Sequence, residues 1–341
     1  MWIRQITAIT FLAAAAGGCL NVNVPQIPDV NIGNNSSANV GTYVPPSGSV
    51  PEGPLPPAPA AGAPVGLYAP DLLAYPDTDV AVTVVVAAQV DPRWAQGATV
   101  TFYLGEKPVA SGAFNEDGVA AATWRTHRPG EYQLSARVTA VARRDQDPLL
   151  RAAPATMLAC VRPKDAQLVV IDLDSLTPQA PTVVGRLAGR YTIVYAATRS
   201  ALSGGAAKDW LRNQGYPPGP LLVAGVKEFA PGGGVFKTAR VKDLTRLYSN
   251  IRAGVTDKLS DAEEYAQRGS GAILFPRYKA DAKGMRKFAK ELEKLKARNR
   301  VEVVSTWEQV EQILTGRASY PAEAHAAWLR QEAFRMDGKR D

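Results

Sequence analysis

The chain has 341 residues, 46% of them hydrophobic, and a formal charge of +7 from 39 basic and 32 acidic residues. That length fits two ordinary domains or one large one, and no apolar run is long enough for a mature membrane span. The positive balance permits attraction to anionic lipids or phosphorylated ligands. Nucleic acid is not expected as a partner, because the basic residues are spread along the chain with no compact Lys/Arg motif interleaved with aromatics.

The N-terminus reads as an export signal, with Arg4 ahead of an apolar stretch from Ile6 to Ala16. It ends in Ala16-Gly17-Gly18-Cys19, which resembles a bacterial lipoprotein cleavage site. The resemblance implies a signal over residues 1–19, lipidation of Cys19 and a membrane partner reached through the lipid. The protein would then sit at the bacterial cell envelope, on the periplasmic face or the cell surface. Ala16 stands where Leu is favoured, three residues before the cysteine, so simple secretion and a chance cysteine are the alternatives. With Cys19 acylated, the second cysteine, Cys160, has no partner and reads as a small core residue.

Residues 20–66 are rich in Pro, Gly, Asn, Ser and Ala and close in PEGPLPPAPAAGAPVG. Such a composition cannot bury a core and reads as a tether. A flexible chain of that length has a root-mean-square span of about 35–40 Å.

From 67 to 162 the pattern is all β. VAVTVVVAAQV (80–90), ATVTFYL (98–104), GVAAATWRT (118–126) and EYQLSARVTAV (131–141) are strand candidates, separated by turn residues. Short strands at this spacing predict a small antiparallel sandwich. Trp124 and Tyr132 are expected in its core, and His127 on its surface beside a turn.

After Pro163 the pattern alternates. Strands are predicted over 168–172, 191–196, 220–224, 250–254, 271–275 and 301–305. Helices are predicted over 203–214, 237–248, 260–268, 282–298 and 306–315. Alternation of this kind implies a parallel sheet with helices on both faces, here over 163–317. Sites in such sheets lie at the carboxyl ends of the strands. Residues 318–341 read as a C-terminal tail with a short helical stretch.

LVVIDLDSLT (168–177) delivers Asp172 and Asp174 at a strand end. In a regular strand the two carboxylates point to opposite faces, so they converge on one cation only if the chain turns there. A bare DxD is weak by itself. Its partners are Lys237, with Lys242 as second choice, and the pair Asp257 and Asp261 in AGVTDKLSDAEEY. Read as entering a helix, that pair lies one turn apart on one face. Carboxylates with open positions suit Mg²⁺, which keeps waters and then binds a phosphate. The plainer reading makes Asp257 a helix N-cap, Asp261 a first-turn acid and the lysines solvated. Gly232-Gly233-Gly234 lacks a GK[ST] ending and reads as a turn.

Residues 165–277 resemble the haloacid dehalogenase superfamily of phosphatases and, within it, lipin-type domains that act on or bind phosphatidate. The stretches that carry the likeness are LVVIDLDSLT, GRYTIVYAATRSA, WLRNQGYPPGPLLV, FKTARVKDL and GVTDKLSDAEEYAQRG. An immunoglobulin-like module ending in a PGEYQLSARV-type strand also precedes the related domain of phosphatidylinositol-transfer-associated membrane proteins. The resemblance implies an immunoglobulin-like sandwich followed by an α/β Rossmann-like, haloacid dehalogenase-type parallel sheet.

It also implies roles. Asp172 is the expected nucleophile, Asp174 the acid and then base, and Lys237 the stabiliser of developing charge. Mg²⁺ is expected on Asp172, the Asp174 carbonyl, Asp257 and Asp261. Two positions depart from the family: Leu176 replaces a Thr or Val, and Ala197 replaces a phosphate-binding Ser or Thr. Thr198 and Arg199 are the remaining candidates to hold substrate phosphate. The expectation is therefore a Mg²⁺-dependent phosphatase acting on a phospholipid or a phosphorylated small molecule. The alternatives are a module that binds phosphatidate or another anionic ligand without turnover, and a surface adhesin or assembly factor in which the sandwich is the active part.

Overall fold

The computed structural model describes residues 66–86, 92–200, 204–224 and 250–338. The expected signal, Cys19, most of the tether, Lys237, Lys242, the helix predicted over 237–248 and the Gly232–Gly234 turn lie outside the described residues.

Two sheets share one core in the first half. The smaller holds β1 (Leu67–Tyr68), β3 (Val80–Val86) and β6 (Val119–Trp124) in the order β1-β3-β6. The larger holds β2 (Leu72–Ala74), β4 (Thr99–Leu104), β5 (Lys107–Ala113), β7 (Gly130–Ala140) and β8 (Ala155–Val161), in the order β2-β8-β7-β4-β5. All pairings are antiparallel except β2 with β8. Alternate side chains of both sheets, among them Val82, Val84, Phe102, Trp124, Leu134 and Met157, bury against one another. A short helix, α1 (Asp147–Leu150), precedes β8. Trp124 is in the core as the sequence predicts, edge-on to a half-buried Tyr132 at 5.6 Å. His127 is exposed and pairs with Asp77.

The second half is a six-stranded, all-parallel sheet built from β9 (Leu168–Asp172), β10 (Thr192–Ser200), β11 (Leu221–Ala224), β12 (Ile251–Thr256), β13 (Gly271–Leu274) and β14 (Val301–Val303). Its order is β11-β10-β9-β12-β13-β14. Every residue of β9 is buried, as expected for a central strand covered on both faces. Helices α2 (Ala180–Ala188), α3 (Gly204–Asn213) and α6 (Trp307–Leu314) contribute to the core on one face. Helices α4 (Leu259–Gln267), α5 (Ala282–Glu293) and α7 (Ala322–Asp337) contribute to the core on the other.

The structure differs from the expected tail after residue 317. Ala322, Ala326, Leu329 and Ala333 form one buried stripe of α7, in the same core as Met285, Phe288 and Leu292 of α5. Small side chains let the two helices approach closely, but alanine gives only a faint apolar signal, so the stripe is hard to read in the sequence. The helix predicted over 282–298 stops at Glu293, before a turn and a single 3₁₀ turn at Arg298–Arg300. Among the described residues no helix is long and apolar enough to cross a membrane.

The two halves share cores. Leu73 and Cys160, on β2 and β8, bury among the residues of β9, α4 and α5. Cys160 is a free thiol, 1% exposed, and burial pushes its pKa up to about 11, as suits a packing residue.

Candidate metal and phosphate site

The parallel sheet changes winding direction at β9. From β9 the chain steps to β10 and β11 on one side, then returns to β12 on the other. Ligand crevices of open parallel sheets form at the carboxyl ends of strands where the order reverses. Asp172 closes β9, and Asp257 follows β12 by one residue.

The DxD turns as convergence requires. The Asp174 N–H donates to Asp172 Oδ1 at 3.2 Å, so the Asp172 side chain caps a 3₁₀ turn over Leu173–Ser175. Ser175 Oγ donates to the Asp172 carbonyl at 2.6 Å, and the Leu176 N–H to the Leu173 carbonyl at 3.2 Å. The strand period is broken within one residue. Asp172, Asp174 and Asp257 each present an oxygen, and these atoms all lie within 4.8 Å of one another.

Asp172 is 3% exposed and the Asp257 side chain 4%, so two of the three sit where water screens poorly. Like charges this close in a buried site favour a bound cation. The protein supplies part of the countercharge. Arg277 Nη2 lies 2.7 Å from Asp257 Oδ2 and donates to the Asp174 carbonyl at 2.9 Å. Lys258 Nζ is 3.6 Å from Asp174 Oδ2. Thr256 Oγ1 donates to Asp172 Oδ2 at 3.3 Å and accepts the Lys258 N–H at 3.1 Å.

One oxygen remains over. Asp257 Oδ1 is buried and has no hydrogen-bond partner among the described residues. A buried acceptor of this kind is costly unless something fills its coordination. An all-oxygen cluster with an unsatisfied carboxylate oxygen is consistent with a divalent cation.

The other predicted residues fall into three groups. Asp261 is 1% exposed in the first turn of α4, yet it is not part of the three-carboxylate cluster. The helix begins after Lys258, so Asp257 is neither its N-cap nor on its surface, and the one-turn spacing expected for the pair does not apply. Thr198 and Arg199 lie near the carboxyl end of β10, beside β9, and their side chains are not among those described. Lys237 lies outside the described residues altogether. Leu176 and Ala197, the two departures from the family pattern, are buried in the apolar cluster that includes α2.

Thr256, Lys258 and Arg277 carry no sequence motif that singles them out. Thr256 and Lys258 flank Asp257 directly, and Arg277 follows the next strand, β13. Attention to every polar side chain at each carboxyl strand end is the signal that finds all three. Arg277 also walls a void of about 20 Å³ lined by Asp174, Ser175, Asp257, Phe275, Pro276, Val304 and Ser305. A space of that size suits a water-sized sphere and not a phosphoryl group.

No family model matches the chain, and no curated protein matches it. Among solved structures, the D00-D0 domain of Intimin is 19% identical, with 28% of this chain and 46% of that chain covered at a TM-score of 0.18. The FMN-binding β-glucuronidase from Facaelibacterium prausnitzii L2-6 is 11% identical, with 71% and 47% covered at a TM-score of 0.26. The chain spans about half the length of the solved structures it matches. At these TM-scores neither likeness bears on fold or activity.

Proposed function

We propose that this chain is a Mg²⁺-dependent phosphomonoester hydrolase of the haloacid dehalogenase type, carried behind an immunoglobulin-like sandwich. The observation that supports it most is the trio Asp172, Asp174 and Asp257 at the winding reversal of the sheet, with Asp257 Oδ1 left without a partner among the described residues. Asp172, Asp257 and the Asp174 carbonyl would hold the ion; Asp261, predicted as a fourth ligand, is buried on α4 and is not in the cluster. When bound, Mg²⁺ supplies countercharge for the carboxylates and the phosphoryl oxygens.

Asp172 attacks phosphorus through a carboxylate oxygen, while the bond to the leaving oxygen breaks and Asp174 gives that oxygen a proton. Thr256 fixes the Asp172 carboxylate, so the nucleophile is aligned before substrate arrives. Water then attacks the aspartyl-phosphate, Asp174 takes its proton, and phosphate leaves with Asp172 regenerated. Lys237, Thr198 and Arg199 keep the roles that the family likeness gives them, in charge stabilisation and phosphate binding.

The substrate class is a phosphatidate-like lipid or another phosphomonoester at the cell envelope, reached by a protein anchored through Cys19. Phosphate release from phosphatidate vesicles and from soluble phosphomonoesters, with and without Mg²⁺, separates the two. Asp172→Asn abolishes release in either case; full activity in that variant sinks the mechanism. Globomycin sensitivity of processing tests the anchor.

A second reading is a module that binds the same anionic ligand without turnover. Leu176 and Ala197 favour it, since both are buried in the apolar core and offer no hydroxyl to phosphate. It predicts saturable binding to phosphatidate vesicles and no phosphate release at any Mg²⁺ concentration.

A further inference from the structure

Arg277 makes both of its described polar contacts to groups that a divalent ion would use. One guanidinium nitrogen bridges the Asp257 carboxylate and the Asp174 carbonyl, at 2.7 and 2.9 Å. Both acceptors are oxygens of residues in the carboxylate cluster, and the side chain that reaches them is 48% exposed. It is held by one end and free to leave by the other.

The charges point the same way. Three carboxylates with Arg277 and Lys258 beside them leave one formal negative charge among these groups. Adding a divalent ion with both side chains in place makes the group positive, whereas exchanging Arg277 for the ion makes it neutral.

We infer that Arg277 is a resident cation of this site and competes with the divalent ion for Asp257 and the Asp174 carbonyl. Metal binding then requires Arg277 to swing outward. A displaced guanidinium is left beside the opening, where its planar donors match a phosphate or carboxylate. The apparent metal affinity is the intrinsic affinity reduced by the fraction of molecules in which Arg277 has left. This inference rests on the metal site proposed above, and it adds the group that supplies part of the countercharge while the ion is absent.

The test is Mn²⁺ binding by the full chain, followed through the electron paramagnetic resonance signal of free Mn²⁺, so no turnover is needed. Arg277→Gln and Arg277→Met are compared with the wild type and with Asp257→Asn. Both Arg277 variants are expected to bind Mn²⁺ about tenfold more tightly, the factor for a bridged state populated about ten to one. Asp257→Asn is expected to lose binding. Equal or weaker binding in both Arg277 variants, with Asp257→Asn impaired, overturns the competition and leaves the metal site standing. Binding unchanged in Asp257→Asn, or no binding by the wild type and by both Arg277 variants, overturns both.

Discussion

Lys208 Nζ lies 2.6 Å from Asp71 Oδ1, and this pair joins the two halves of the molecule. Asp71 sits between β1 and β2, and Lys208 on α3 beside the parallel sheet. The same carboxylate accepts the Leu158 N–H of β8 at 2.7 Å and, through Oδ2, the Leu221 N–H of β11 at 2.9 Å. Lys208 also donates to the Ala69 and Thr156 carbonyls, at 2.9 and 3.1 Å. The Asp71 side chain is 4% exposed, so the ion pair is fully provided with partners in a poorly screened place.

Asp71→Ala is therefore expected to cost about 3 kcal/mol, because Lys208 and two backbone donors lose their acceptor together. Urea unfolding followed by circular dichroism measures it. A loss under about 1 kcal/mol, the worth of an ordinary exposed ion pair, would show that the halves do not depend on this joint.

Gly254 and Gly185 separate two effects of adding one methyl group. A Cβ at Gly254 would come within 2.3 Å of the Tyr265 ring, and Tyr265 is 4% exposed with little room to move. Gly254→Ala is expected to cost about 3 kcal/mol through overpacking. Gly185 lies in α2 with nothing within 4 Å of the added atom, so Gly185→Ala should stabilise by about 0.5–1 kcal/mol. Thermal melts of both variants check the opposite signs.

Burial holds the His325 imidazole neutral, with its pKa pushed down to about 4, among Tyr278, Phe288 and Trp328. The unfolded chain takes up a proton near pH 6.5 that the folded chain refuses until about pH 4. Its contribution is thus complete above pH 6.5 and declines as pH falls towards 4. By about pH 5 the loss amounts to about 2 kcal/mol. In His325→Phe the fall in stability between neutral and mildly acidic pH should shrink by that amount. An unchanged slope would place the acid sensitivity elsewhere.

Thr256→Val keeps the shape of the side chain and removes the hydroxyl that holds Asp172 Oδ2. Under the hydrolase mechanism proposed above, the rate constant for phosphate release should fall about tenfold, the equivalent of one hydrogen bond to a charged group. Thr256→Ser should retain the rate. If Val and Ser variants behave alike, the hydroxyl does not align the nucleophile.

The β9 strand and the DxD turn are legible in the sequence because a short apolar run closed by two acids fits a buried strand that ends at a polar site. The parallel sheet follows from alternation in the same way. Asp257 stands out by its place after a strand. Its grouping with Asp261 treats Asp257 as part of the helix entry, whereas Lys258 is the N-cap and Asp257 ends the strand side of the turn. Arg277 is invisible in the sequence because its role depends on β13 lying beside β12, a neighbour relation that no local pattern encodes. The α7 stripe escapes for a different reason: close packing of alanines carries little periodic hydrophobicity.

Among the described residues β11 is the outer strand of the parallel sheet, and its Leu221 N–H points away from β10. An open strand edge is a template for another chain's strand, and proteins guard such edges against self-association. Here the guard is an aspartate lent by the preceding sheet, which fills the donor that an incoming strand would use. A guard of this kind would give the first half of the molecule a task that requires no ligand, keeping copies of the second half from pairing with one another. Loss of Asp71 should show first as concentration-dependent clumping, before any change in chemistry.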